Sequence, residues 1–203
     1  MVRFMRINLK PVAAFGLVVT CILGTSACSD DKSSGPLNPL SSSESAIELS
    51  SQDVMFLQMM IPHHEQAVFM SDVAQRQADS DAIKKLAMAI STTQKLEVNK
   101  MREWLTEASE PLSSDGHSMG TDGMLSEQEV IALRAANGKA FDRLFVKGMT
   151  AHHKGAIEMA KDEVSSGQNE KVKAFAVAVI ALQGAEIITL KAIQKLHDLK
   201  SGS

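Results

Sequence analysis

Tyrosine is absent from this 203-residue sequence, tryptophan occurs once, and aromatic residues make up only 4% of it. Aromatic and β-branched side chains favour sheets, so their scarcity beside abundant Ala, Leu, Lys, Glu and Met predicts an all-helical protein. With few rings to stack on bases and a net charge of −3, the chain lacks the basic face expected of a nucleic-acid binder. Two cysteines, Cys21 and Cys28, cannot supply a disulfide framework. The remaining balance, 44% hydrophobic and 22% charged, suits one globular domain plus a tail.

Arg3, Arg6 and Lys10 precede an apolar run from Pro11 to Leu23, followed by the small residues Gly24 to Ala27 and then Cys28. That order is the pattern of a bacterial secretory signal, and the run is short of the roughly 20 residues a permanent transmembrane anchor needs. The segment resembles a lipoprotein signal, in which Cys28 becomes the lipidated first residue of the mature chain; Thr25 stands where Leu is usual. Plain secretion is the alternative. Loss of residues 1–27 takes three of the 21 basic residues and none of the 24 acidic ones, leaving a mature charge of −6. Residues 28–51 are rich in Ser, Asp and Pro and predict a flexible spacer. The folded part, residues 52–200, then has no thiol, which closes cysteine catalysis and cysteine-based zinc sites.

That folded part is written twice. M-I-P-H-H-E-Q-A-V-F-M at Met60–Met70 recurs as M-T-A-H-H-K-G-A-I-E-M at Met149–Met159, offset by 89 residues. Without a gap, the same offset pairs Asp53 with Asp142, Phe56 with Phe145, Ala87 with Ala176, Gln94 with Gln183 and Glu97 with Glu186. Two helical hairpins, repeats of about 53–108 and 139–199, should pack as a four-helix bundle with approximate two-fold symmetry. Long helices are expected over about Ser51–Ala78, Asp81–Ala108, Lys139–Ser166 and Asn169–Leu199, with Asp79 and Ser80 as capping residues and Pro62 inside the first. Between the hairpins, a polar crossover leads to a short helix that starts with the capping box Ser126/Glu129 and ends at Gly138.

Phe56, Met60, His63, Ala67 and Met70 recur at helical spacing and form one inward stripe, with His64 lining the same pocket from a second angle. Met149, His152, His153 and Met159 repeat this pattern. In the second helix the stripe Ala87, Ile90, Gln94, Glu97, Met101 and Leu105 sets an amide and a carboxylate among apolar neighbours, and the fourth helix does the same with Gln183 and Glu186. An unpartnered core carboxylate costs several kcal/mol and an amide ~1 to 3 kcal/mol, so these groups need partners. The economical arrangement has Glu97 and Glu186 accept hydrogen bonds from inward imidazoles and aim the other ring nitrogens at a common centre. Imidazole among thioethers suits copper: soft Met sulfur favours Cu(I), imidazole accepts Cu(I) or Cu(II), and zinc usually takes Cys or carboxylate. The plainer alternative makes the methionines flexible core filling and the histidines satisfied core groups. In the crossover, His117, Met119 and Met124 could hold a surface ion or be chance residues of a polar loop; His197 is expected to be solvated.

These motifs, together with Q-K-L-E-V-N-K-M, F-D-R-L-F-V-K-G-M-T-A-H-H and Q-G-A-E-I, resemble the bacterial domain of unknown function 305 family over about Asp53 to Leu196. The resemblance implies a ferritin-like four-helix bundle and, from the family's CopM-like members, an exported copper binder linked to copper resistance. It implies Met60, His63, His64, Met70, Met101, Met149, His152, His153 and Met159 as ligands; the buried polar pattern adds Gln94, Glu97, Gln183 and Glu186 as the groups behind them. Leu190 departs from the pattern at the position matching Met101, so the two halves need not bind metal equally. The expected function is copper sequestration, tolerance or delivery at the cell envelope, without turnover, through the ion, a lipid anchor and a copper-handling protein partner. Two alternatives stand beside it: a ferritin-like di-metal enzyme and a metal-free helical interaction module. The first lacks paired Glu-x-x-His motifs, and Val68 occupies the place a His-Glu-x-x-His zinc motif would need.

Overall fold

A computed structural model describes residues 47–113 and 122–201 of the chain, with side chains to residue 196. The signal segment, Cys28, the spacer as far as residue 46, His117, Met119 and the side chain of His197 lie outside the described residues. Within them the chain forms five helices and no strand: α1 (Ser51–Gln77), α2 (Asp81–Glu107), α3 (Glu127–Ala135), α4 (Gly138–Ser166) and α5 (Glu170–Ser201).

Side-chain caps explain several of these limits. Ser50 accepts from the Asp53 amide while the Asp53 carboxylate accepts from the Ser50 amide at 2.7 Å, and Ser126 and Glu129 do the same for α3. Helix α1 runs unbroken through Pro62. Two expectations need correction. The short helix stops at Ala135, where the Ala136 amide still reaches the Ala132 carbonyl; Gly138, with φ of 60°, opens α4 instead, a left-handed geometry that glycine adopts without penalty. Ser80 does occupy the N-cap of α2, but its side chain caps nothing. The amides of Asp79 and Ser80 instead donate to the buried Asp142 carboxylate of α4, each at 3.0 Å. Its repeat equivalent, Asp53 of α1, accepts from the amides of Gln168 and Asn169 ahead of α5. Each hairpin thus supplies a carboxylate to the other's turn.

The core falls into two apolar clusters. One holds Ala67, Met70 and Val73 of α1, Ile83, Ala87 and Ile90 of α2, Phe141, Phe145 and Met149 of α4, and Leu190 and Ile193 of α5. The other takes the opposite halves of the same helices: Phe56, Leu57 and Met60, then Val98, Met101 and Leu105, then Ala156 and Met159, then Val172, Ala176 and Val179. An offset of 89 residues converts most of one set into members of the other, as a pseudo-two-fold axis between the hairpins requires. Sharing of opposite halves makes α1 antiparallel to α2 and to α4, and leaves α2 and α4 running the same way. The chain between them must therefore return along the bundle, as in bundles with one long crossover. Helix α1 packs chiefly on α2 and α4 chiefly on α5, the hairpins meet along α1 and α4, and α2 touches α5 sparingly.

Candidate metal centre

Between the two clusters, every long helix turns polar on its inner face: His63 and His64 in α1, Gln94 and Glu97 in α2, His152 and His153 in α4, Gln183 and Glu186 in α5. All four histidines are fully buried, both glutamines are 2% exposed, and the glutamate side chains keep only 16% and 10% exposure. The His63 and His152 rings, equivalent by the repeat, face each other across the α1–α4 seam with centroids 3.8 Å apart. His153 lies 6.2 Å from His152.

Glu97 accepts from His64 Nε2 at 3.0 Å. Glu186 stands 2.8 Å from His153 Nε2, off the axis of a straight hydrogen bond. His63 Nε2 meets the backbone carbonyl of Asp122 at 3.2 Å. The Nδ1 atoms of His63, His64 and His153 are buried without a hydrogen-bond partner, as are both ring nitrogens of His152 and both amide atoms of Gln94 and Gln183. Burial, then the neighbouring His64, pushes the pKa of His63 down to about 3. His152 is held well below the ordinary range by burial and by His63, with the His63 backbone carbonyl opposing the shift. These two rings are therefore neutral at physiological pH, and neutral imidazole keeps a lone pair for a metal.

The nine residues of the expected ligand set are all buried, but they do not form one shell. Met60, Met101 and Met159 belong to the cluster on one side of the histidines, and Met70 and Met149 to the cluster on the other, where Leu190 stands in place of a third methionine. The Met70 methyl packs close to Gly148 and beside Leu125. Met124 lines a cavity of about 180 Å³ with Leu125, Leu133, Leu144 and Gly148, to which no histidine contributes. Among the described residues no three His, Cys, Asp or Glu side chains are already arranged to hold a metal ion. The donor set nevertheless fits a soft ion: unpartnered imidazole nitrogens line a buried layer, with thioethers in the apolar clusters on either side.

Sequence reasoning missed the segment that roofs this layer. Asp122–Leu125 of the crossover lies on the α1–α4 seam, where the Gln66 side chain donates to the Leu125 carbonyl at 3.0 Å and accepts from the Leu125 amide at 2.7 Å. On the other side of the seam Gly155 lies so close to Asp122 that a Cβ there would overlap the Asp122 carbonyl, and one on Gly123 (φ 79°) would overlap the Ala151 carbonyl. Gln66 and Gly155 are equivalent by the repeat, and their difference was the available signal.

The family model for a domain of unknown function, DUF305, matches residues 53–194. No curated protein matches the chain. Solved structures do. A candidate secreted DUF305 protein from Streptomyces coelicolor is 30% identical, with a TM-score of 0.67 over 70% of this chain and 89% of its own. A DUF305 fragment from Deinococcus radiodurans is 25% identical, with a TM-score of 0.67 over 72% of this chain and 97% of its own. CopM in its Cu(I)-bound form is 28% identical, with a TM-score of 0.61 over 70% of this chain and 95% of its own. CopM has also been solved in Cu(II)-bound, Ag-bound and apo forms.

Proposed function

Because the chain belongs to the DUF305 family, we propose that it binds copper within its bundle, Cu(I) in preference to Cu(II), for sequestration, tolerance or delivery at the cell envelope. One observation carries this reading: a layer of buried, mutually adjacent polar groups interrupts an otherwise apolar core, and the Nδ1 atom of each of its four histidines, with Nε2 of His152, has no hydrogen-bond partner within the protein. A domain that only needed stability would fill the layer with aliphatic side chains, since each orphaned polar group costs about 1 to 3 kcal/mol. A soft cation recovers that cost through imidazole and thioether donors. The copper-bound forms of CopM support the same choice of metal.

His63, His64, His152 and His153 supply nitrogen, and Met60, Met101, Met159, Met70 and Met149 are the available sulfurs. Glu97 and Glu186 orient His64 and His153 from behind, while Gln94 and Gln183 complete the polar layer. The proposed activity is ligation without turnover, since the carboxylates of the layer stand against imidazoles and no Glu-x-x-His pairs are present. Export and a lipid anchor on Cys28 belong to the proposal, as does a copper-handling protein partner.

Competition of the metal-free mature protein against a chromogenic Cu(I) chelator tests it. Replacing His63 and His152 together by Ala should abolish tight binding, and replacing Met60 and Met149 together by Leu should weaken Cu(I) far more than Zn(II). Glu97→Gln should weaken binding about 10- to 100-fold. Equal losses for the two metals, or no Cu(I) uptake by the unmodified protein, would overturn the proposal.

A further inference from the structure

The repeat makes His63 and His152 equivalent, yet the crossover passes over their seam once and treats them differently. A carbonyl oxygen can only accept, so the 3.2 Å contact between His63 Nε2 and the Asp122 carbonyl requires the proton to sit on Nε2. That leaves Nδ1 as the lone-pair atom of His63, buried and unpartnered. His152 has neither nitrogen in an aligned hydrogen bond; the His63 backbone carbonyl lies near its ring but fixes its tautomer less firmly than Asp122 fixes that of His63.

We propose that the Asp122–Leu125 strap presets His63 as the Nε2–H tautomer, so that Nδ1 is its donor atom, and that Gln66 and Gly155 are the positioning residues that hold the strap there. Gln66 clamps both polar backbone groups of Leu125, and Gly155 admits the Asp122 carbonyl by lacking a side chain. The strap's outer side borders a surface cleft lined by Asp122, Gly123, Lys147, Lys154 and Gly155, while His63 beneath it is fully buried. A single backbone layer therefore both shields the ring and fixes its proton. His63 enters coordination already oriented, and His152 is the ring that adjusts. The consequence for binding rests on the copper reading; the tautomer assignment does not.

Two-bond ¹H–¹⁵N correlation spectra of the metal-free full mature chain decide the tautomer directly. The expected spectrum shows His63 with a pyrrole-type Nε2 and a pyridine-type Nδ1. Gly155→Ala should push the strap away, and Gln66→Ala should release it from the α1 side; either should turn His63 into a mixture of tautomers while circular dichroism retains the helical content. Gln66→Glu, which keeps the acceptor for the Leu125 amide and loses the donor, should fall between wild type and Gln66→Ala. If Gly155→Ala fails to fold, Gln66→Ala and Gln66→Glu carry the same test without adding bulk. Cu(I) affinity of Gln66→Ala should drop about tenfold, the lower end of the range for residues that orient a ligand. An Nδ1–H tautomer for His63 in the wild type, or an unchanged His63 spectrum in the folded variants, overturns the proposal. Absence of Cu(I) binding by the wild type would sink the proposed function while the apo spectra still judge the strap.

Discussion

At the scale of single residues, the acids buried far from the histidines behave differently from one another. Burial by itself would raise the pKa of Asp53, but hydrogen bonds from Ser50 and Asn169 outweigh it and hold the carboxyl below its ordinary range. Glu163 is fully buried, with no well-aligned hydrogen bond to its carboxyl, and burial together with the nearby Asp53 raises its pKa from 4.5 to about 8. Its repeat equivalent is Ala74, and Gly167 provides its space, since a Cβ there would overlap the carboxyl. Between 4.5 and about 8 the folded protein keeps the Glu163 proton that the unfolded chain has released, so this group's contribution is full at low pH and is lost as pH rises through that window. The slope approaches roughly 1.4 kcal/mol per pH unit. Glu163→Gln mimics the protonated acid; melting curves of the variant should lack this decline and lie above wild type at pH 8. Parallel profiles for the two proteins would show that Glu163 ionises normally.

At the scale of the element, the exchanged aspartates tie each hairpin's turn to its partner. Asp142→Ala would leave the amides of Asp79 and Ser80 without their acceptor at a buried site, a loss of about 2 kcal/mol or more and roughly 5 to 10 °C in melting temperature. Asp142→Asn, which retains one acceptor oxygen, should lose about half as much, and a melting temperature for the Ala variant within a degree of wild type would contradict the role. This exchange shows where sequence reading stops. The offset already paired Asp53 with Asp142, and local signals set the ends of the four long helices to within a residue or two. What the pair binds is set by the packing of one hairpin on the other, which no local pattern encodes. The same holds at the site. Periodicity was enough to place Met60, His63 and His152 inside the bundle and to demand partners for Glu97 and Glu186. The strap contacts the site through main-chain atoms of Asp122 and Leu125, and its one trace in residue identity is indirect, the mismatch of Gln66 and Gly155 between the repeats.

At the scale of the whole molecule, neither apolar cluster belongs to one hairpin, since each takes half of all four long helices. Helical bundles ordinarily fray from their tips, where the last turns have the fewest neighbours. Here the dry ends are closed by reciprocal carboxylates, and the layer of orphaned polar groups lies at the waist. In the metal-free protein, amide hydrogen exchange should accordingly be fastest, among the helical interiors, around residues 63–64, 94–97, 152–153 and 183–186. Addition of Cu(I) should slow it there first; uniform protection along the helices would rule out a soft middle. Under the proposed copper binding, the girdle would also let the molecule report its own occupancy. Metal-free chains would breathe at mid-height and expose their interior to proteolysis, whereas loaded ones would stay shut, so the lifetime of the protein would follow the supply of the ion.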